Sequence, residues 1–207
     1  MNRLSNKQAI STRGRALAGM AILLLSGLLA GCSKPNDEEM SRLLAEAYAC
    51  KGIETAEMTK TDSLPGIYSY VGKYSFQVRL VGGEKGALEF YRHLLNLADV
   101  KNNDWKSASN SPKVKDYLED ECAEAIQPVM DAMFEDLLEQ LATNKPKVRL
   151  PLMMPMTGWS EFMPGKKGWD MTMRRDKLGE DIVYSEPIKR ELLLSKKAGK
   201  ATKGKKK

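Results

Sequence analysis

The sequence predicts an α+β domain, an antiparallel sheet of about four to five strands with three to four helices packed on one face. Three observations carry this. Tyr74, Phe76, Val78 and Leu80 alternate with Ser75, Gln77 and Arg79, the period-two pattern of a half-buried antiparallel strand. Apolar residues recur at helical spacing over residues 87–98 and again over 129–141. Alternation then returns at Val148, Leu150, Leu152, Met154 and Met156, and at Trp169, Met171 and Met173.

Taken in order, Asp37, Glu38 and Glu39 open a helix, with acids in the first turn where the helix dipole favours them. Met40, Leu43, Leu44, Ala47 and Tyr48 form its stripe, and it ends near Cys50-Lys51-Gly52. Ile53 to Thr61 alternates weakly and reads as a strand, and Leu64-Pro65-Gly66 as a turn. Ile67 to Val71 is expected to pair with the Tyr74–Val81 strand across Gly72-Lys73. Gly82-Gly83 ends that strand before a helix whose stripe is Ala87, Leu88, Tyr91, Leu94, Leu95 and Ala98.

Asp99 to Ser109 reads as a polar loop. Ser111-Pro112 starts the next helix, a hydroxyl cap followed by proline at the first helical position. It is expected to run through Val114, Leu118, Cys122, Ala125 and Ile126 until Pro128 breaks or kinks it. Beyond it, Val129, Met130, Met133, Phe134, Leu137, Leu138 and Leu141 face the core, opposite Asp131, Glu135, Asp136 and Glu139. Pro151 and Pro155 argue that the following strand lies at an edge, and Ile182-Val183-Tyr184 closes the meander.

The formal charge of +6 separates by region. Residues 1–31 carry Arg3, Lys7, Arg13 and Arg15 and no acid, and Lys196 to Lys207 carries seven lysines and no acid. The body between has 22 basic against 27 acidic residues, near −5, which excludes a basic nucleic-acid-binding domain.

The leader is tripartite: a basic stretch to Arg15, an apolar run from Ala16 to Leu29 that is too short for a stable membrane span, and small residues before a cysteine. Its ending, Leu29-Ala30-Gly31-Cys32, resembles the lipobox of bacterial lipoproteins. The resemblance covers the leader alone. It implies diacylglyceration of Cys32, cleavage after Gly31 and acylation of the new amine, so that lipid and not a helix anchors the chain. Ser33 in place of the retention signal Asp favours the outer membrane. The organisation expected is a lipoprotein signal peptide at 1–31, a tether at 32–36, a domain at 37–194 and a disordered lysine-rich tail at 195–207.

Cys50 and Cys122 remain, and in an oxidising compartment they are predicted to form a disulfide; two buried free thiols are the alternative. Catalytic signals are sparse. His93, the one histidine, shares a helix face with Glu89, which is too few ligands for a metal site. Glu119-Asp120-Glu121 with Glu124 reads as a solvated face, and Gly82-Gly83 with Gly86 as strand-to-helix punctuation without the phosphate-binding pattern. Met153 to Trp169 is rich in methionine and aromatics, and Met156, Trp159, Phe162 and Met163 form a candidate partner surface, with a loop tucked over the sheet as the alternative.

The function expected is a non-enzymatic, lipid-anchored envelope module for binding or assembly, with no cofactor. Its membrane contact would be through Cys32, its partner an envelope protein, with anionic lipid or polyanion at Lys196–Lys207 and no specific nucleic acid. The alternative is a periplasmic small-ligand carrier or enzyme with a pocket between sheet and helices.

Overall fold

The computed structural model describes residues 34–100 and 104–195. The expected signal peptide, Cys32 and the Lys196–Lys207 tail lie outside the described residues. The chain divides into Met1–Pro35 and Asn36–Lys207, and the second unit carries every element below.

Helix α1 (Asp37–Ala47) begins at Asn36, whose side chain accepts from the Glu39 N–H at 2.7 Å, and it buries Met40, Leu43 and Leu44. Strands β1 (Ile53–Pro65) and β2 (Tyr70–Leu80) form one long antiparallel hairpin, closed where the Gly66 N–H donates to the Ser69 carbonyl at 2.8 Å. The expected hairpin partner of Tyr74–Val81 is therefore corrected. Val71 lies inside β2, and β1 is the partner. Gly72 is not a turn residue but a mid-strand one. A Cβ there would stand 3.0 Å from Met40 Cε and 3.1 Å from Phe162 Cε2, so the glycine admits a helix side chain and a neighbouring ring.

Helix α2 (Gly83–Ala98) follows as expected. Gly86 is required because a Cβ would overlap the Val81 carbonyl, which explains the glycine run by close packing of strand end on helix. Helix α3 (Trp105–Ser109) occupies part of the expected loop: Trp105 and Ala108 are buried, and the Arg190 guanidinium lies 5.5 Å from the Trp105 ring centroid. Five residues are too few to display a helical period.

Helix α4 (Pro112–Glu121) stops five residues short of the expected Ile126 because Cys122 turns extended and pairs its backbone with Cys50. A 3₁₀ turn (Glu124–Ile126) leads into α5 (Gln127–Ala142), where Pro128 sits in the first turn and costs no hydrogen bond. The proline starts a helix and does not kink one. The apolar stripe of α5 is buried along its whole length.

The last third supplies β3 (Lys147–Val148), β4 (Pro151–Gly165), β5 (Gly168–Leu178), β6 (Val183–Tyr184), β7 (Ile188–Lys189) and helix α6 (Arg190–Leu194). The main sheet is antiparallel with order β1-β2-β4-β5, β6 continuing beside β4, and β3 pairs with β7 in a second small sheet. The expected edge position of the Pro151–Pro155 strand is overturned, since β4 is flanked on both sides. Pro155 is tolerated because its carbonyl accepts from Gly179 N–H at 2.8 Å, so its missing N–H faces the gap between the end of β5 and the start of β6.

Residues Tyr74, Phe76, Val78 and Leu80 of β2 and Met154, Met156, Ser160 and Phe162 of β4 all face the helices and are buried. The opposite face is solvated, with Arg79–Glu54 at 2.7 Å and Lys73–Asp62 at 3.3 Å across β1 and β2. The fold class expected is the one observed: four longer helices, α1, α2, α4 and α5, with two five-residue ones added. Among the described residues no helix is long and apolar enough to cross a membrane.

Candidate functional site

A polar cluster interrupts the buried face of the sheet where β5 meets the end of α1. Asp176 on β5 pairs in register with Gly158 on β4, which pairs in turn with Tyr74 on β2. A Cβ at Gly158 would overlap the Asp176 carboxylate and stand 2.9 Å from Tyr74 Cε2. With no side chain between them, phenol and carboxylate reach across the middle strand and meet.

Tyr74 donates to Asp176 Oδ1 at 2.8 Å, and Tyr48, just past α1, donates to Oδ2 at 2.6 Å. The Arg174 Nε also lies 2.7 Å from Oδ2, with its guanidinium 5.1 Å from the Tyr48 ring centroid. Ser160, fully buried, contacts the Tyr74 hydroxyl at 2.6 Å. Since the single Tyr74 proton goes to the carboxylate, Ser160 is the donor in that contact. Burial first, and then donation to the Asp176 carboxylate, push the Tyr48 phenol far above its usual range. Burial does the same to Tyr74, against the lowering effect of Ser160.

Both phenols are therefore held as neutral donors and are unsuited to act as bases. A cleft of about 370 Å³ opens beside them, lined by Tyr48, Pro128, Val129, Met156, Arg174 and Asp176. The Asp176 carboxylate is shared among three internal donors, so the arrangement fastens α1 to β5 and neutralises a charge held 8 % exposed.

The residues singled out from sequence are distributed differently. Cys50 and Cys122 are brought within disulfide distance, flanked by backbone bonds from Ala123 N–H to the Ala49 carbonyl (2.7 Å) and from Lys51 N–H to the Glu121 carbonyl (3.3 Å). The candidate partner surface does not stay together. Met156 and Phe162 point inward and are buried, while Trp159 and Met163 stand on the outer face of the same strand. The methionine-rich segment is neither a loop nor a continuous surface; strand alternation divides it. Trp159 carries the Arg175 guanidinium 5.6 Å from its ring centroid, and Met163 is 40 % exposed.

His93 is exposed and packs edge-on against Tyr117, centroids 4.7 Å apart. Among the described residues no group of three or more His, Cys, Asp or Glu is placed to hold a metal. Glu119, Asp120, Glu121 and Glu124 are exposed, and Glu121 pairs with Lys51 at 3.6 Å.

Two features escaped sequence reasoning. The Asp176 cluster joins four separated segments, and its one sequence signal is Gly158, a glycine interior to a strand. The other is the tip of the β1–β2 hairpin, where Leu64, Ile67 and Tyr68 are 60 %, 91 % and 81 % exposed. Known protein families, curated proteins and solved structures yield no match to this chain, and its function is argued from its own residues.

Proposed function

We infer that this chain is a non-enzymatic envelope lipoprotein, held by acyl chains on Cys32 at the outer membrane and facing the periplasm, whose folded part is a binding or assembly module. The observation that carries this reading is the disposition of its three cysteines. Two lie at disulfide distance within the fold, the use of thiols suited to an oxidising compartment. The third closes the leader in the lipobox-like Leu29-Ala30-Gly31-Cys32. Several acyl chains at about 0.8 kcal/mol per buried CH₂ make an anchor that needs no membrane-spanning helix. The Lys196–Lys207 tail adds attraction to anionic lipid or another polyanion, about 1 kcal/mol for each lysine near an anionic surface.

The test is intact mass spectrometry and affinity capture of the full-length protein from solubilised envelopes, beside Cys32→Ser. A mass carrying acyl chains on a chain cleaved after Gly31, together with a stable protein partner, supports the reading. An unlipidated chain refutes the anchor, and an acylated chain without a partner refutes the assembly role.

The cleft beside Tyr48 and Asp176 favours a second reading, a small-ligand carrier or enzyme. A rise in Tm on adding periplasmic extract, absent in Asp176→Asn, would favour this reading over the first.

A further inference from the structure

The exposed tip of the β1–β2 hairpin lies at the end of the domain from which the proposed anchor emerges. Met40 packs at Gly72 of β2, and the Tyr48 ring lies 5.1 Å from that of Phe76. Eight residues of helix, about 12 Å, thus run alongside four residues of strand, about 14 Å. Extended back by the same ratio, Asn36 at the start of α1 lies level with Tyr70. Ile67 and Tyr68 come just before Tyr70 and project beyond Asn36 by roughly 7–10 Å.

The β4–β5 hairpin ends on the same side, because Tyr70 pairs with Phe162 and β4 continues only to Gly165. Its tip presents Lys166 and Lys167, both exposed. The first turn of α1 is fastened there, where the Trp169 N–H donates to Glu39 Oε1 at 2.9 Å and Lys60 lies 3.9 Å from Asp37. The acids nearest this end are Asp37, Glu38, Glu39, Asp170 and Glu161, the last paired with Val71; Asp37 and Glu39 are engaged by these internal partners.

We propose that this end of the domain docks on the bilayer that holds the anchor, with Ile67 and Tyr68 entering the headgroup–acyl boundary and Lys166 and Lys167 at the headgroups. The inference rests on the lipidation of Cys32. Only three residues lie between Cys32 and Asn36, four steps of chain with a reach of at most about 14 Å. A domain tethered that closely brings its nearest surface to the membrane, and here that surface carries an aliphatic and an aromatic side chain 91 % and 81 % exposed. Tyrosine suits the interface, with an apolar ring and a polar tip that stays hydrated.

The experiment uses full-length processed protein in vesicles of phosphatidylethanolamine and phosphatidylglycerol, with a nitroxide on Ile67→Cys and, as control, on Val81→Cys. Val81 is exposed at the opposite end of β2, and acylated Cys32 and the paired Cys50 and Cys122 leave the introduced thiol as the one to be labelled. The expected result is that label 67 collides with oxygen in preference to a water-soluble nickel chelate, at a depth of roughly 5–10 Å below the phosphates, while label 81 behaves as in water. Adding Tyr68→Asp should return label 67 to water. Intact mass on the same sample separates the two ways to fail. An acylated, vesicle-bound protein whose label 67 matches label 81 overturns the docking with the anchor intact, whereas a chain without acyl groups removes both.

Discussion

The buried hydroxyl pair of Tyr74 and Ser160 makes an asymmetric prediction. Tyr74→Phe removes one oxygen that serves two partners: it donates to Asp176 and accepts from Ser160. Ser160 is fully buried, so its hydroxyl is orphaned at a cost of about 1–3 kcal/mol, and Asp176 loses one of three donors. The expected total is about 2–3 kcal/mol, which lowers Tm by about 5–10 °C for a domain of this size. Ser160→Ala leaves Tyr74 still donating to Asp176 and should cost under about 1 kcal/mol. In the Ser160→Ala background no hydroxyl is left to orphan, so Tyr74→Phe should cost about 1 kcal/mol less than in the parent. Urea unfolding followed by tryptophan fluorescence measures all four proteins of the cycle. Additivity within about 0.3 kcal/mol, or equal costs for the two single substitutions, would refute the assignment of Ser160 as a donor that depends on Tyr74.

Gly158→Ala places a Cβ against the Asp176 carboxylate and Tyr74 and should destabilise by about 2–3 kcal/mol by overpacking, whereas Gly83→Ala, with nothing within 4 Å and only its positive φ of 58° against it, should cost about 1 kcal/mol; urea midpoints compare them. Cys50→Ser with Cys122→Ser opens a loop of 72 residues' separation, and the chain-entropy argument puts the loss at about 4 kcal/mol, read as a fall in urea midpoint that reduction of the parent reproduces. Tyr48, Tyr74 and Tyr91 have folded-state pKa values raised above the ordinary 10.0, first by burial, so the stability they contribute is complete below pH 10.0 and is lost as pH climbs beyond it. Ultraviolet titration should show their phenolates appearing only together with the loss of secondary structure; smooth ionisation of all seven tyrosines in folded protein would contradict this.

Where the sequence carried a long uninterrupted period, the structure was legible. β2 declares itself because alternate residues from Tyr74 to Leu80 meet the helices, and α5 because one stripe of seven apolar residues is wholly buried. Glycine and proline mislead at Gly72 and Pro155, where tertiary contact sets their role. Gly72 suggests a turn by composition, yet it makes room for Met40 and Phe162, which arrive from distant segments. Pro155 suggests an edge, yet the break between β5 and β6 gives its missing N–H a harmless place in a central strand. The prolines and glycines of Met153–Trp169 suggest a loop, although Met154, Met156 and Phe162 sit at even spacing. The Asp176 cluster was the least legible. It depends on the β4–β5 register that sets Gly158 opposite Asp176, and that register includes a shift between Glu161 and Phe162.

These contacts converge on α1, the first helix after the proposed anchor. A helix at the edge of a folded domain is ordinarily among the first elements to fray. Here both ends are held. Glu39 and Asp37 tie the first turn to Trp169 and Lys60. Past the last turn, Tyr48 binds Asp176 and Cys50 lies at disulfide distance from Cys122. Tension arriving through a tether of four residues would enter at Asn36, so it would be shared by β1, β5 and the end of α4 and not borne by the hydrophobic face of α1 alone. The Asp176 cluster therefore fits a mechanical role better than a chemical one. Its phenols are held protonated, its carboxylate is surrounded by internal donors, and it lies where a domain held by the proposed anchor would have to resist peeling from its N-terminus.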